Sequence, residues 1–97
     1  MTIDLPPVHP GEILREEYLA PLGMSAGALA KRLHVPRTRI ERLAAEQTAV
    51  TPDTALRLAK AFGTTPEFWL NLQASHDLKI EAERLMAEIA GIEEVAA

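Results

Sequence analysis

Twice in quick succession the chain places threonine and proline ahead of an apolar run: Thr51-Pro52 before DTALRLAKAF, and Thr65-Pro66 before EFWLNLQ. Threonine caps a helix by accepting from an amide of its first turn. Proline suits the first helical position because its missing N–H would have no partner there. Gly63 between them fits the left-handed residue that ends a helix. Upstream, Pro10, Ser25 and Pro36 play similar parts before GEILREEYL, AGALAKRL and RTRIERLA. No strand-like alternation of any length and no internal repeat appears. Such punctuation dictates helices joined by short turns.

Five helices follow from the spacing. The first starts near Pro10 and stops before Pro21, with Ile13, Leu14 and Leu19 facing inward. The second is capped by Ser25, stapled by Met24, and buries Leu29, Ala30 and Leu33. The third takes Pro36 into its first turn, runs to about Ala45 and buries Ile40 and Leu43. The fourth, from the Thr51 cap to Gly63, offers Leu56, Leu58, Ala59 and Phe62. The fifth starts after Thr65 and continues through LKIEAERLMAEIAG. There Leu78, Ala82, Leu85, Ile89 and Ile92 recur as a short heptad-like seam.

The length, 97 residues, is that of one domain, 1–97, with residues 66–97 as a helical dimerisation and tail region. A chain without cysteine has no disulfide, thiol catalysis or cysteine-bound zinc. His9, His34 and His76 are too scattered for a metal motif, so neither metal nor cofactor is expected. Glu12, Glu16 and Glu17 in EILREEYL have no nucleophile or phosphate-cradling loop beside them, and no catalytic residue is assigned. The opening MTIDLPPVHPGE shows no secretory leader, and no run is long enough to span a membrane. A soluble, cytoplasmic, non-enzymatic protein is expected.

Charge then directs attention to one stretch. The formal net charge is −4, yet five of the ten Lys and Arg residues fall between Lys31 and Arg42, with Glu41 the one acid among them. The acidic surplus lies in residues 77–97, where Lys79 and Arg84 face Asp77, Glu81, Glu83, Glu88, Glu93 and Glu94. Helices two and three are separated only by His34 to Pro36, the layout of a helix-turn-helix whose second helix reads the major groove. At 100° per residue, Ile40 and Leu43 define the inner face of the third helix. Thr38, Glu41 and Arg42 point away, and Arg37 and Arg39 occupy opposite flanks. Arginine grips guanine with a bidentate fork, or a phosphate. Glu41 can accept from cytosine N4 or orient Arg37 or Arg42. Arg42, near the centre of the outward face, is expected to set specificity, and Arg39, at its edge, affinity.

Residues 8–72 resemble the HigA-type antitoxins of the lambda-repressor-like (Xre) helix-turn-helix class. The resemblance is carried by HPGEILREEYL, ALAKRLHVPRTRIERL and VTPDTALRLAKAFGTTPEFWLNLQ, and it extends into the following HDL. It implies an all-α, five-helix domain that binds operator DNA as a homodimer and represses its own operon. It also implies a partner, a basic messenger-RNA-cleaving toxin of the HigB type. Two departures stand out. His34 occupies the turn position where the motif usually has glycine. AAEQTAV replaces the usual Asn-Gly and cation after the third helix, leaving Gln47 and Thr48 as phosphate donors. Weaker phosphate anchoring is the expectation. A stand-alone regulator and a toxin inhibitor with decayed DNA binding stay open as alternatives. The dimer surface is expected at Phe68, Trp69, Leu72, Leu78, Leu85 and Ile89. The toxin is expected on helix one or the acidic C-terminal region, leaving the DNA face free.

Overall fold

A computed structural model describes residues 7–96. Met1–Pro6, read above for a leader, and Ala97 lie outside the described residues. Pro10–Ile13, Leu14–Leu19 and Ala20–Leu22 follow one another without a break and form α1. Then come α2 (Ala26–Leu33), α3 (Arg37–Ala44), α4 (Pro52–Phe62), α5 (Pro66–Arg84) and α6 (Met86–Ala90). Among the described residues there is no strand.

The caps fall where the sequence puts them. Ser25, Thr51 and Thr65 each accept from the amide three residues on, at Ala28, Thr54 and Phe68. Gly23 and Gly63 end α1 and α4 in the left-handed conformation. Pro36 stands one residue ahead of its helix, in extended conformation as the N-cap, and not within the first turn.

Helix α1 does not stop before Pro21. Its middle stretch, Leu14–Leu19, widens to a π turn in which the Ala20 amide reaches back to the Arg15 carbonyl. In regular α geometry the Pro21 ring would press on the carbonyl four residues back, that of Glu17. The wider turn just before it lets the helix continue through the proline to Leu22.

Leu14, Leu29, Ile40, Leu43, Leu58 and Trp69 make the centre of the core, all of them essentially inaccessible to solvent. Each buried Leu or Ile contributes about 1.5–3 kcal/mol relative to an exposed one. Tyr18 and Phe62 lean on Trp69 with ring centroids 5.2 and 6.4 Å away. Leu56 does not join them and is 60% exposed. Two residues before Leu58, it points about 200° away on the helix wheel.

Gly11 sets the closest helix approach. A Cβ there would stand 1.8 Å from the Leu43 carbonyl oxygen, so the start of α1 lies against the backbone of α3. Beyond Gln73, α5 leaves the core, and almost every residue from Ala74 onward is exposed or half-exposed. The heptad-like seam is not continuous. Leu85 interrupts the helix at φ −100° and ψ 4°, and Ile92 lies past the end of α6. A heptad stripe needs an unbroken helix, so no straight seam runs from Leu78 to Ile92.

Candidate nucleic-acid interface

Helix α3 is presented on the outside of the body by a turn that ends α2 abruptly. Val35 N–H donates back to the Ala30 carbonyl at 3.1 Å, the long bond of a Schellman ending. This forces His34 to φ 60° and ψ 44°, the strained position that the glycine-free turn implied. Helix α3 ends in the same way: Gln47 N–H donates to the Arg42 carbonyl at 2.9 Å, and Glu46 takes φ 62°.

Arginines from other helices support both endings. Arg57 of α4 donates through Nη1 to the Leu33 carbonyl at 2.8 Å, at the end of α2. Arg15 of α1 donates to the Ala44 carbonyl, at the end of α3, and reaches Glu46 at 3.2 Å. The loop after α3 has a further anchor. The Gln73 side-chain oxygen accepts from Val50 N–H at 2.7 Å, and the buried amide also donates to Asp77. His9, also buried, accepts from Gly11 N–H through Nδ1 at 2.9 Å. Burial, and then the neighbouring His76, hold its ring below the ordinary histidine value of 6.5. The two rings meet edge-on at 4.9 Å, a pairing hidden by the spacing of the histidines in sequence.

With α3 fixed in this way, Ile40 and Leu43 face the core. Arg37, Thr38, Arg39, Glu41, Arg42, Gln47 and Thr48 are all exposed. The charges are arranged in pairs. Arg37 Nε lies 3.5 Å from Glu41 Oε1, so Glu41 orients the flanking arginine one turn back. Arg39 Nη1 donates to Asp53 Oδ1 at 2.7 Å. Hydrogen bonds from Arg57 and then Arg39 hold the Asp53 carboxyl below the usual carboxylate range. Among the described residues, Arg42 has no ion-pair partner and opens onto a groove lined by Thr38, Thr48, Thr51 and Asp53.

The cluster of five cations therefore divides. Arg37, Arg39 and Arg42 belong to this face, while Lys31 and Arg32 sit in the last turn of α2, where positive charge complements the helix dipole. The supporting residues Arg15, Asp53, Arg57 and Gln73 were not foreseen, because their contacts join distant parts of the chain.

A helix-turn-helix family model matches residues 14–69. Antitoxin HigA-1 of Vibrio cholerae is 43% identical over 74% of this chain and 68% of its own length. The chain belongs to the helix-turn-helix family of the HigA antitoxins. Another relative, virulence-associated protein I of Dichelobacter nodosus, is 56% identical over 79% of this chain and 71% of its own. Among solved structures, the Pseudomonas aeruginosa antitoxin HigA with the higBA promoter superposes with a TM-score of 0.88 at 36% identity. It covers 93% of this chain and 99% of that one. Antitoxin GraA in complex with its operator gives a TM-score of 0.89 at 41% identity, covering 100% and 99%. For a chain of the HigA family, α2 and α3 are thus the helix-turn-helix pair, and α3 is its outward second helix.

The expected dimer residues are less uniform. Phe68, Leu78 and Ile89 are exposed, and Leu72 and Leu85 are half-buried. Trp69 is 0% exposed, and its indole N–H donates to Thr64 Oγ1 at 2.8 Å. It is a core residue and offers a partner nothing to touch. Phe68, edge-on to it at 5.1 Å, is the aromatic that reaches the surface. Among the described residues, no helix is long and apolar enough to cross a membrane.

Proposed function

We propose that this chain is an operator-binding antitoxin that represses its own transcription. In this reading it acts as a homodimer and neutralises a basic ribonuclease toxin of the HigB type. One observation carries the DNA-binding part. A helix backed by Ile40 and Leu43 presents Arg37, Thr38, Arg39, Glu41 and Arg42 outward, directly after the short turn that ends α2. The operator complexes of the HigA and GraA relatives support the same reading. Gln47 and Thr48, exposed after α3, serve as phosphate donors.

Residues 1–97 act as one unit in this reading, with residues 66–97 supplying the dimer surface and tail. Two half-sites about one helical turn apart require such a pairing. Phe68, Leu72, Leu78, Leu85 and Ile89 supply its apolar surface. The acidic residues after His76 lie on α5, on α6 and beyond, apart in sequence from α3, and suit a cationic toxin. Toxin and operator then bind together.

A gel shift on the DNA upstream of the gene tests the proposal. A retarded band that shifts further on adding toxin is the expected result. Release of free DNA by toxin overturns simultaneous binding, and no retardation at all overturns the repressor. Sedimentation at micromolar concentration tests the dimer, and a monomer refutes it. Arg42→Ala should cost about 1–3 kcal/mol on the operator and relax preference at one base pair. Equal losses on operator and random duplexes would remove Arg42 from the base-reading role.

A further inference from the structure

Arg39 stands on the reading helix, but its charge is already engaged. The Asp53 oxygen that accepts from Arg39 Nη1 at 2.7 Å also accepts from Arg57 Nε at 2.8 Å. Arg57 in turn holds the Leu33 carbonyl at 2.8 Å. Asp53 lies in the first turn of α4 and shares a groove with Thr38, Arg42, Thr48 and Thr51. A carboxylate on a face that meets phosphate weakens binding, so its presence there calls for a use.

We propose that Asp53 sets the strength of the DNA interface, lowering its affinity by competing with DNA for Arg39. The inference rests on the DNA-binding reading above. The Arg39 and Asp53 side chains are 42% and 54% exposed, so the guanidinium can change partners without unfolding anything. When Arg39 leaves, Arg57 stays on Asp53, and the carboxylate is not stranded. On a random duplex, loosely held and in varying register, no phosphate competes well and Arg39 stays on the protein. On the operator, base contacts from α3 fix the register, a DNA oxygen lies in a fixed place and Arg39 transfers to it. Asp53 thereby withholds one cationic contact from non-specific complexes, and the specific complex gains that contact only by breaking the Arg39–Asp53 pair, so Asp53 weakens both and the operator complex more.

The test is fluorescence anisotropy with full-length protein, on the operator duplex and a scrambled duplex, across a range of salt. Asp53→Asn should raise operator affinity about three- to tenfold and scrambled affinity by less, because the pair that scrambled DNA fails to break is stronger than the contact scrambled DNA gains once the pair is gone. Its salt slope on scrambled DNA should steepen by about one, the signature of one more neutralised phosphate. Adding Arg39→Gln to Asp53→Asn should abolish the gain. Arg39→Gln alone should weaken operator binding about tenfold and scrambled binding far less. Melting curves accompany each variant, and the Arg39→Gln arm stands even where Asp53→Asn folds poorly. An unchanged operator affinity in Asp53→Asn overturns the proposal. So does a gain that survives loss of Arg39, since that would be relieved repulsion alone. A wild-type protein with no preference for operator removes the DNA reading itself, a result distinct from either.

Discussion

Four helices of this molecule end in the same hydrogen bond, from the residue after the left-handed position to a carbonyl five back. Met24 to Leu19 and Thr64 to Ala59 close α1 and α4; Val35 to Ala30 and Gln47 to Arg42 close α2 and α3. The first two pass through Gly23 and Gly63, in open space with nothing near a would-be Cβ. The second two, at either end of α3, pass through His34 and Glu46, which carry side chains into a backbone region that disfavours them. The glycine endings are satisfied locally. The other two lean on Arg57 and Arg15 from distant helices. The joints that aim α3 are therefore properties of the folded whole, and they hold only while α1 and α4 are in place.

The sharpest way to break this dependence is Gly11→Ala. A methyl group 1.8 Å from the Leu43 carbonyl must separate α1 from α3 and carry Arg15 away from Ala44. The loss should exceed about 3 kcal/mol, seen as a collapse of the urea midpoint or as an unfolded chain. A near-normal midpoint would show that α1 can slide.

Arg57→Met comes next. It leaves the Leu33 carbonyl without its side-chain partner and should cost about 2 kcal/mol by denaturant unfolding. Operator affinity should fall with it, because the turn before α3 loosens. Arg15→Met should act in the same direction at the other end. A stability loss with no change in DNA binding would mean that the arginines brace the fold without aiming α3.

Exchanging the residue types at the joints gives smaller effects of opposite sign. Gly63→Ala should cost about 1 kcal/mol, and His34→Gly should stabilise by about 0.5–1 kcal/mol. Glu46→Gly should gain less than His34→Gly, since it forfeits the contact with Arg15. Thermal melts of the three variants order them directly. Stabilisation by Gly63→Ala would refute the contrast.

The smallest effect is that of acid. The unfolded chain takes up a proton at His9 that the folded chain resists, where Nδ1 must accept from Gly11 N–H. His76 adds to that resistance, while Glu46, Asp77 and the backbone at Thr48 oppose it. Stability from this site is complete above about 6.5 and declines as pH falls through and below that value. Urea midpoints at pH 7.5 and 5.5 should show the decline. His9→Asn, which retains a cap acceptor, should flatten it; an unchanged slope would place the effect elsewhere.

What the sequence disclosed and what it concealed follow the same division between local and distant. Ser25, Thr51, Thr65 and Gly63 announce helix ends because each acts on amides or carbonyls a few residues away. The Ile40–Leu43 spacing orients α3 for the same reason. Arg39 and Asp53 are 14 residues apart, and Arg15 and Glu46 are 31. No periodicity marks such pairs, so Arg39 read as a free cation and Arg15 went unnoticed beside three glutamates. Pro21 misled because its usual meaning, the end of a helix, assumes regular α geometry on its N-terminal side. Trp69 and Phe68 are adjacent, and only packing decides which of the two is sealed in.

That sealing gives the molecule a built-in optical probe. Trp69 is its single tryptophan, and the indole is enclosed by Tyr18, Phe62 and Phe68, with its N–H on Thr64. Its emission should lie toward the blue and resist aqueous quenchers. It should hold steady while duplex or toxin is titrated onto outer faces, and move to longer wavelength only when water reaches the interior. The same fluorescence trace thus separates a variant that fails to bind from one that fails to fold.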